Sequence, residues 1–140
     1  MKLRGVDVSL PAVRYGVMII AMFAGPCVIA SQIMSDHKSG TSAVPALLFL
    51  GVVFGFALGG FGAARTRSDA PLIHGALAAT AAFVIIQTLG AIRRTTAGES
   101  VHPVSIAFNY MVAVVAAMIG STMVNSSGHK ARTRTHQEHP

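Results

Sequence analysis

Four stretches of about 20 residues, each without Asp, Glu, Lys or Arg, dominate this chain and decide what it can fold into. They run from Tyr15 to Met34, from Pro45 to Ala64, from Leu72 to Ile92 and from Val104 to Val124. About 20 apolar residues in a helix cross a hydrocarbon core of roughly 30 Å. Inside lipid the backbone must satisfy its own polar groups, which a helix does. The pattern predicts an all-α membrane protein, a bundle of four transmembrane helices. Composition agrees with it. Hydrophobic residues make up 52% of the 140 and charged residues only 11%. An ordinary soluble domain carries roughly 25% charged residues, and this chain could not clothe a water-soluble core.

The boundaries carry local signals. Ser9-Leu10-Pro11 reads as a helix start, with Ser9 as cap and Pro11 in the first turn. Asp36, His37, Lys38, Ser39 and Gly40 separate the first span from the second. Pro45, Pro71 and Pro103 open the next three spans, where a missing N–H costs nothing. The links are short, so the reading is two antiparallel hairpins. Pro26 lies inside the first span after Gly25, and a bend is expected between Met22 and Pro26. Residues 1–124 form the transmembrane domain in this reading. From residue 125 to 140, Asn-Ser-Ser-Gly gives way to basic and polar residues without apolar periodicity, which predicts a disordered basic cytoplasmic tail. His129, His136 and His139 are irregularly spaced there, and no metal site is expected of them.

Net charge is +6. In a soluble protein that would raise nucleic-acid binding. Basic residues beside apolar spans instead orient those spans and meet anionic lipid head groups, so the partners expected are the bilayer and its acidic lipids, and no nucleic acid. Lys2, Arg4, Arg14, Arg65, Arg67, Lys130, Arg132 and Arg134 fall on one face; Lys38, Arg93 and Arg94 fall on the other. The richer face is cytoplasmic by the positive-inside rule, which puts both termini inside. Arg93 and Arg94 oppose the rule, either snorkelling to outer head groups or meeting an acidic partner. A cleaved signal peptide is the rival reading of the first span, from its basic start and the small residue ending Val28-Ile29-Ala30. The apolar run continues past a normal signal core, which argues against it. Ala24-Gly25-Pro26-Cys27 is a poor lipoprotein box because Pro precedes the cysteine. Cys27 is the single cysteine, so no intrachain disulfide can form, and it reads as a packing residue.

Gly51, Gly55 and Gly59 recur every four residues along one face of the second span. Small residues there allow another helix to approach closely. Packing within the bundle and docking onto a partner protein are both open, with internal packing favoured. Ala113, Ala117 and Ser121 make a weaker stripe on the fourth span. Polar residues within the spans are few. Gln87 and Asn109 fall at similar depth near the outer ends of the third and fourth spans and are expected to hydrogen-bond, with Ser31 and Gln32 near enough to join them. A substrate site is the sharper reading of the same cluster. His74, near the cytoplasmic start of the third span, is expected to make a local hydrogen bond at the interface. All five acidic residues lie in loops or tails. No phosphate loop, HExxH motif or intramembrane carboxylate pair occurs, so neither catalytic residues nor a cofactor is expected, and the reading is a non-enzymatic protein.

Gly59-Gly60-Phe61-Gly62-Ala63-Ala64-Arg65, followed by Pro71-Leu72-Ile73-His74-Gly75, resembles a broad group of small four-helix bacterial membrane proteins without an assigned activity. In that group a glycine-rich end of the second helix leads through a basic turn into His-Gly at the start of the third. The resemblance implies a bacterial cytoplasmic (inner) membrane and carries over no catalytic residues. The functional expectation is an accessory or assembly subunit of a larger membrane complex, for example a transporter such as an actinobacterial lipid-uptake system. The alternative is a small self-associating carrier or channel with a polar path through Gln87, Asn109 and Ser31.

Overall fold

The computed structural model describes residues 2–3, 6–36, 43–66, 70–98, 100 and 102–135, with side chains for 8–34, 43–66, 70–98, 100 and 102–124. Four helices make up the architecture: α1 (Leu10–Asp36), α2 (Ala43–Thr66), α3 (Pro71–Thr96) and α4 (Pro103–Thr135). A two-residue ladder precedes them, in which β1 (Lys2–Leu3) pairs antiparallel with β2 (Val6–Asp7). Four apolar segments of 25, 24, 26 and 22 residues lie in the helices, each long and apolar enough to cross a membrane. At 1.5 Å per residue even the shortest measures about 33 Å, enough for the hydrocarbon core.

The helix ends follow from local chemistry. α1 begins at Leu10, more than a turn before the Tyr15 at which its charge-free stretch starts, and the Ser9 carbonyl accepts the Val13 N–H at 3.2 Å. α1 stays helical through Pro26. α3 opens with Pro71 in its first turn and ends at Thr96, two residues before Gly98, whose φ of +72° is the left-handed conformation that stops helices. There the Ala97 N–H reaches the Arg93 carbonyl and the Gly98 N–H the Thr95 carbonyl. The α4 backbone is helical to Thr135, past the Val124 at which its charge-free stretch ends. An established helix propagates at small cost per residue, and no proline lies between Asn125 and Thr135 to stop it. Residues 136–140 of the expected tail lie outside the described residues.

The interior is made of small side chains. Ala24, Ala79, Ala82, Ala113, Ala116 and Ala117 surround Ile20, Phe56 and Phe83 in one buried cluster. Large apolar side chains such as Met22, Leu50, Phe54, Ile85 and Met111 point outward. Small-inside and large-outside is the reverse of a water-soluble core. It is what dispersion packing in lipid favours, because large apolar groups are already solvated there. α2 lies against each of the other three helices, and α3 also packs on α1 and α4.

Candidate functional site

The bundle has a tight half and an open half. In the tight half, an ideal methyl placed at Gly55 would lie 2.8 Å from the Ala24 backbone nitrogen, and one at Gly51 2.6 Å from Cys27 Sγ. At Gly59 it would strike Ile20 and the Gly16 carbonyl. The Gly51, Gly55, Gly59 face is therefore spent on α1, and a partner protein has no access to Gly55 or Gly59, which are buried. The neighbouring Gly60 meets the Ala117 carbonyl of α4, and Gly120 of α4 meets the Ala57 carbonyl of α2. Ala113, Ala117 and Ser121 are buried on this same seam. Ser121 shares its single hydroxyl proton between the Ala117 carbonyl at 2.8 Å and the Gly60 carbonyl at 3.1 Å and sits directly against Gly75.

His74 belongs to the tight half and is fully buried. Its Nδ1 lies 2.9 Å from the Ala70 carbonyl, a local bond, and its Nε2 accepts the Ser9 N–H at 3.1 Å. Nε2 can accept only if it carries no proton, so the ring is neutral with the proton on Nδ1. Both ring nitrogens are satisfied, and His74 ties the start of α1 to the start of α3. Sequence reasoning could not supply Ser9 as the partner, because 65 residues separate the two.

The open half holds a cavity of about 620 Å³, lined from the last turns of α1 and α3 and from the N-terminal halves of α2 and α4. Ser31, Gln32, Gln87 and Asn109 all line it, together with Arg94. The expected Gln87–Asn109 hydrogen bond is not formed. Each side chain is half-buried, among the described residues no buried side-chain polar atom goes unpartnered, and the two amides line the cavity without bonding each other. Gly90, one turn beyond Gln87 on α3, also lines the cavity, and a methyl there would meet nothing within 4 Å. Ser31 donates to the Val28 carbonyl at 2.8 Å. Arg93 Nη1 donates to Gln32 Oε1 and so crosses from α3 to α1. Arg94 is exposed at the rim.

Phe56, Phe83 and Ala113 border the cavity where it meets the buried core. Below them Phe83 stacks at a tilt on Tyr110, ring centroids 5.2 Å apart. Tyr110 OH lies 3.0 Å from Thr80 Oγ1, which donates to the Ala76 carbonyl. Tyr110 therefore donates to Thr80 and links α4 to α3. Its sequence signal, a tyrosine six residues into an apolar run, equally fits a membrane-interface anchor. Phe56, Phe83 and Gly90 also went unread, being apolar residues in apolar surroundings. Among the described residues no three His, Cys, Asp or Glu side chains converge.

No family model matches this chain, and neither a curated protein nor a solved structure matches it.

Proposed function

We propose that the chain is a non-enzymatic binding subunit of a larger bacterial membrane complex, such as a transporter, and holds a ligand in the cavity between its helix ends. The observation that carries this is the cavity itself. A concave apolar site of about 620 Å³ with a few convergent polar groups has the dimensions and chemistry of small-molecule binding sites. Its polar groups are amides, a hydroxyl and a guanidinium, which bind and orient. They offer neither a nucleophile–base pair nor a carboxylate. An actinobacterial lipid-uptake system is one complex into which such a subunit fits.

Contacts that climb α1 from Gly16 through Ala24 to Cys27 descend α2 from Gly59 through Gly55 to Gly51. This supports two antiparallel hairpins, and the charge bias supports cytoplasmic termini. The cavity then opens toward the outer leaflet. A carrier or channel built from one such bundle is less well supported. Beneath Phe56 and Phe83, the seam at Gly59, Gly60, Ala117 and Ser121 is buried and tightly packed, and among the described residues no polar path crosses it. Extraction of the tagged chain from native membranes in mild detergent tests the subunit reading. The expected result is co-migration with defined partner proteins; a chain that always migrates alone overturns it.

A further inference from the structure

One face of α3 reads Phe83, Gln87, Gly90, Arg94, at intervals of four, three and four residues, and all four line the cavity. That spacing stacks them along a single helix stripe. It spans about 16 Å from Phe83 to Arg94 at 1.5 Å per residue. The stripe is graded, with an aromatic ring at the bottom, an amide above it, an open position, then a cation at the rim. Arg94 stands one turn beyond Gly90, where an added methyl would meet nothing within 4 Å, so the space beneath the cation is open. Among the described residues Arg94 has neither a hydrogen bond nor an ion pair. The opposite wall is largely apolar, with Val28 and Met34 from α1 and Leu48, Phe49 and Val52 from α2. Among the described residues no carboxylate lines the cavity.

We propose that this cavity binds a single acyl chain carrying an acidic head group. The head pairs with Arg94, the polar linkage meets the amides of Gln87 and Asn109, and the chain lies along the α2 wall. Three observations converge on that chemistry. The cation at the rim has no partner among the described residues and suits an anion. The two amides open on the cavity and offer both donors and acceptors. The rest of the lining, Ser31 and Gln32 apart, is apolar and suits an apolar body. The volume suits one chain, and a whole two-chain lipid would overfill it. A fatty carboxylate and a lysophospholipid both present this chemistry. The proposal rests on the binding role given to the cavity above and adds the class of ligand.

The chain contains no Trp, so Phe49→Trp, on the cavity wall, provides a single reporter. The protein is placed in nanodiscs of zwitterionic phosphatidylcholine and titrated with amphiphiles brominated in the acyl chain. One arm is a fatty acid, one a lysophosphatidylglycerol and one a zwitterionic lysophosphatidylcholine. Saturable quenching by at least one anionic arm is expected, at concentrations about tenfold below the zwitterionic arm, the scale of one charge-assisted contact. The two anionic arms tell carboxylate from phosphate. Arg94→Gln should erase the tenfold preference. Gly90→Phe should abolish saturation while leaving the melting temperature intact, and Gly90→Leu serves if the larger side chain unfolds the bundle. Quenching that is equal for all three head groups overturns the assigned class, and quenching indifferent to the filled cavity overturns the site. Co-migration with partner proteins reads out separately: failure there with selective quenching retained overturns only the subunit reading.

Discussion

At Gly60 and Gly120 the atom that an added methyl would meet is a backbone carbonyl of another helix, Ala117 in one case and Ala57 in the other. A carbonyl fixed in a helix cannot turn aside as a side chain can. Gly60→Ala and Gly120→Ala should each cost roughly 1–3 kcal/mol of overpacking, read as a lower midpoint in denaturant unfolding from detergent. Gly90 faces open space, so Gly90→Ala should raise the midpoint by up to about 1 kcal/mol of helix propensity. If all three substitutions act alike, the difference between seam and open positions is wrong. His74 is a second residue whose role lies in its neighbours. His74→Leu keeps most of the bulk but removes the acceptor for the Ser9 N–H. The expected loss is about 1–3 kcal/mol for a stranded donor, together with faster hydrogen exchange at the Ser9 amide. Unchanged exchange there would show that the Nε2 bond does not hold the start of α1.

At the scale of the helices, polar side chains divide into those that join helices and those that line space. Tyr110 and Thr80 join α4 to α3 at 3.0 Å, whereas Gln87 and Asn109 face the cavity without bonding each other. A double-mutant cycle on Tyr110→Phe and Thr80→Val should therefore show a coupling of about 0.6 kcal/mol, typical of hydrogen bonds between membrane helices. The same cycle on Gln87→Leu and Asn109→Leu should be additive within about 0.3–0.5 kcal/mol. Coupling of the second pair above that range would bring back the direct bond. The four spans were legible because charge is excluded from lipid residue by residue, a property of sequence alone. The small-residue faces were legible as faces, since a four-residue repeat fixes a stripe on a helix. Which helix each face meets was not, because Gly59 against Ile20 and Gly60 against Ala117 differ by a single position. The polar cluster was legible as a depth, and Ser31, Gln32, Gln87 and Asn109 do share one cavity. That it is a cavity depends on Gly90, where the missing side chain matters only once the neighbouring walls are in place.

Across the whole molecule, the asymmetry between a sealed half and an open half gives the orientation in the membrane its meaning. The sealed half holds His74, Ser121 and the glycine seam. The open half ends at Arg93 and Arg94, two of the three basic residues that oppose the positive-inside count. In the proposed orientation this pair of arginines lies on the outer side and weakens the charge bias. Arg93 makes the Gln32 contact, and Arg94 has the cavity rim. With cytoplasmic termini, Ser100 lies beyond the end of α3 on the outer side and Ser9 lies at the inner start of α1. In a Cys27→Ala background, Ser100→Cys should react with a membrane-impermeant thiol reagent added to intact cells. A cysteine appended to the N-terminus should react only after the membrane is permeabilised. The reverse pattern would turn the cavity to the cytoplasmic leaflet and make Arg94 one more positive-inside charge. It would also make the cytoplasmic leaflet the source of the amphiphile, while the pairing of an acidic head group with Arg94 would stand.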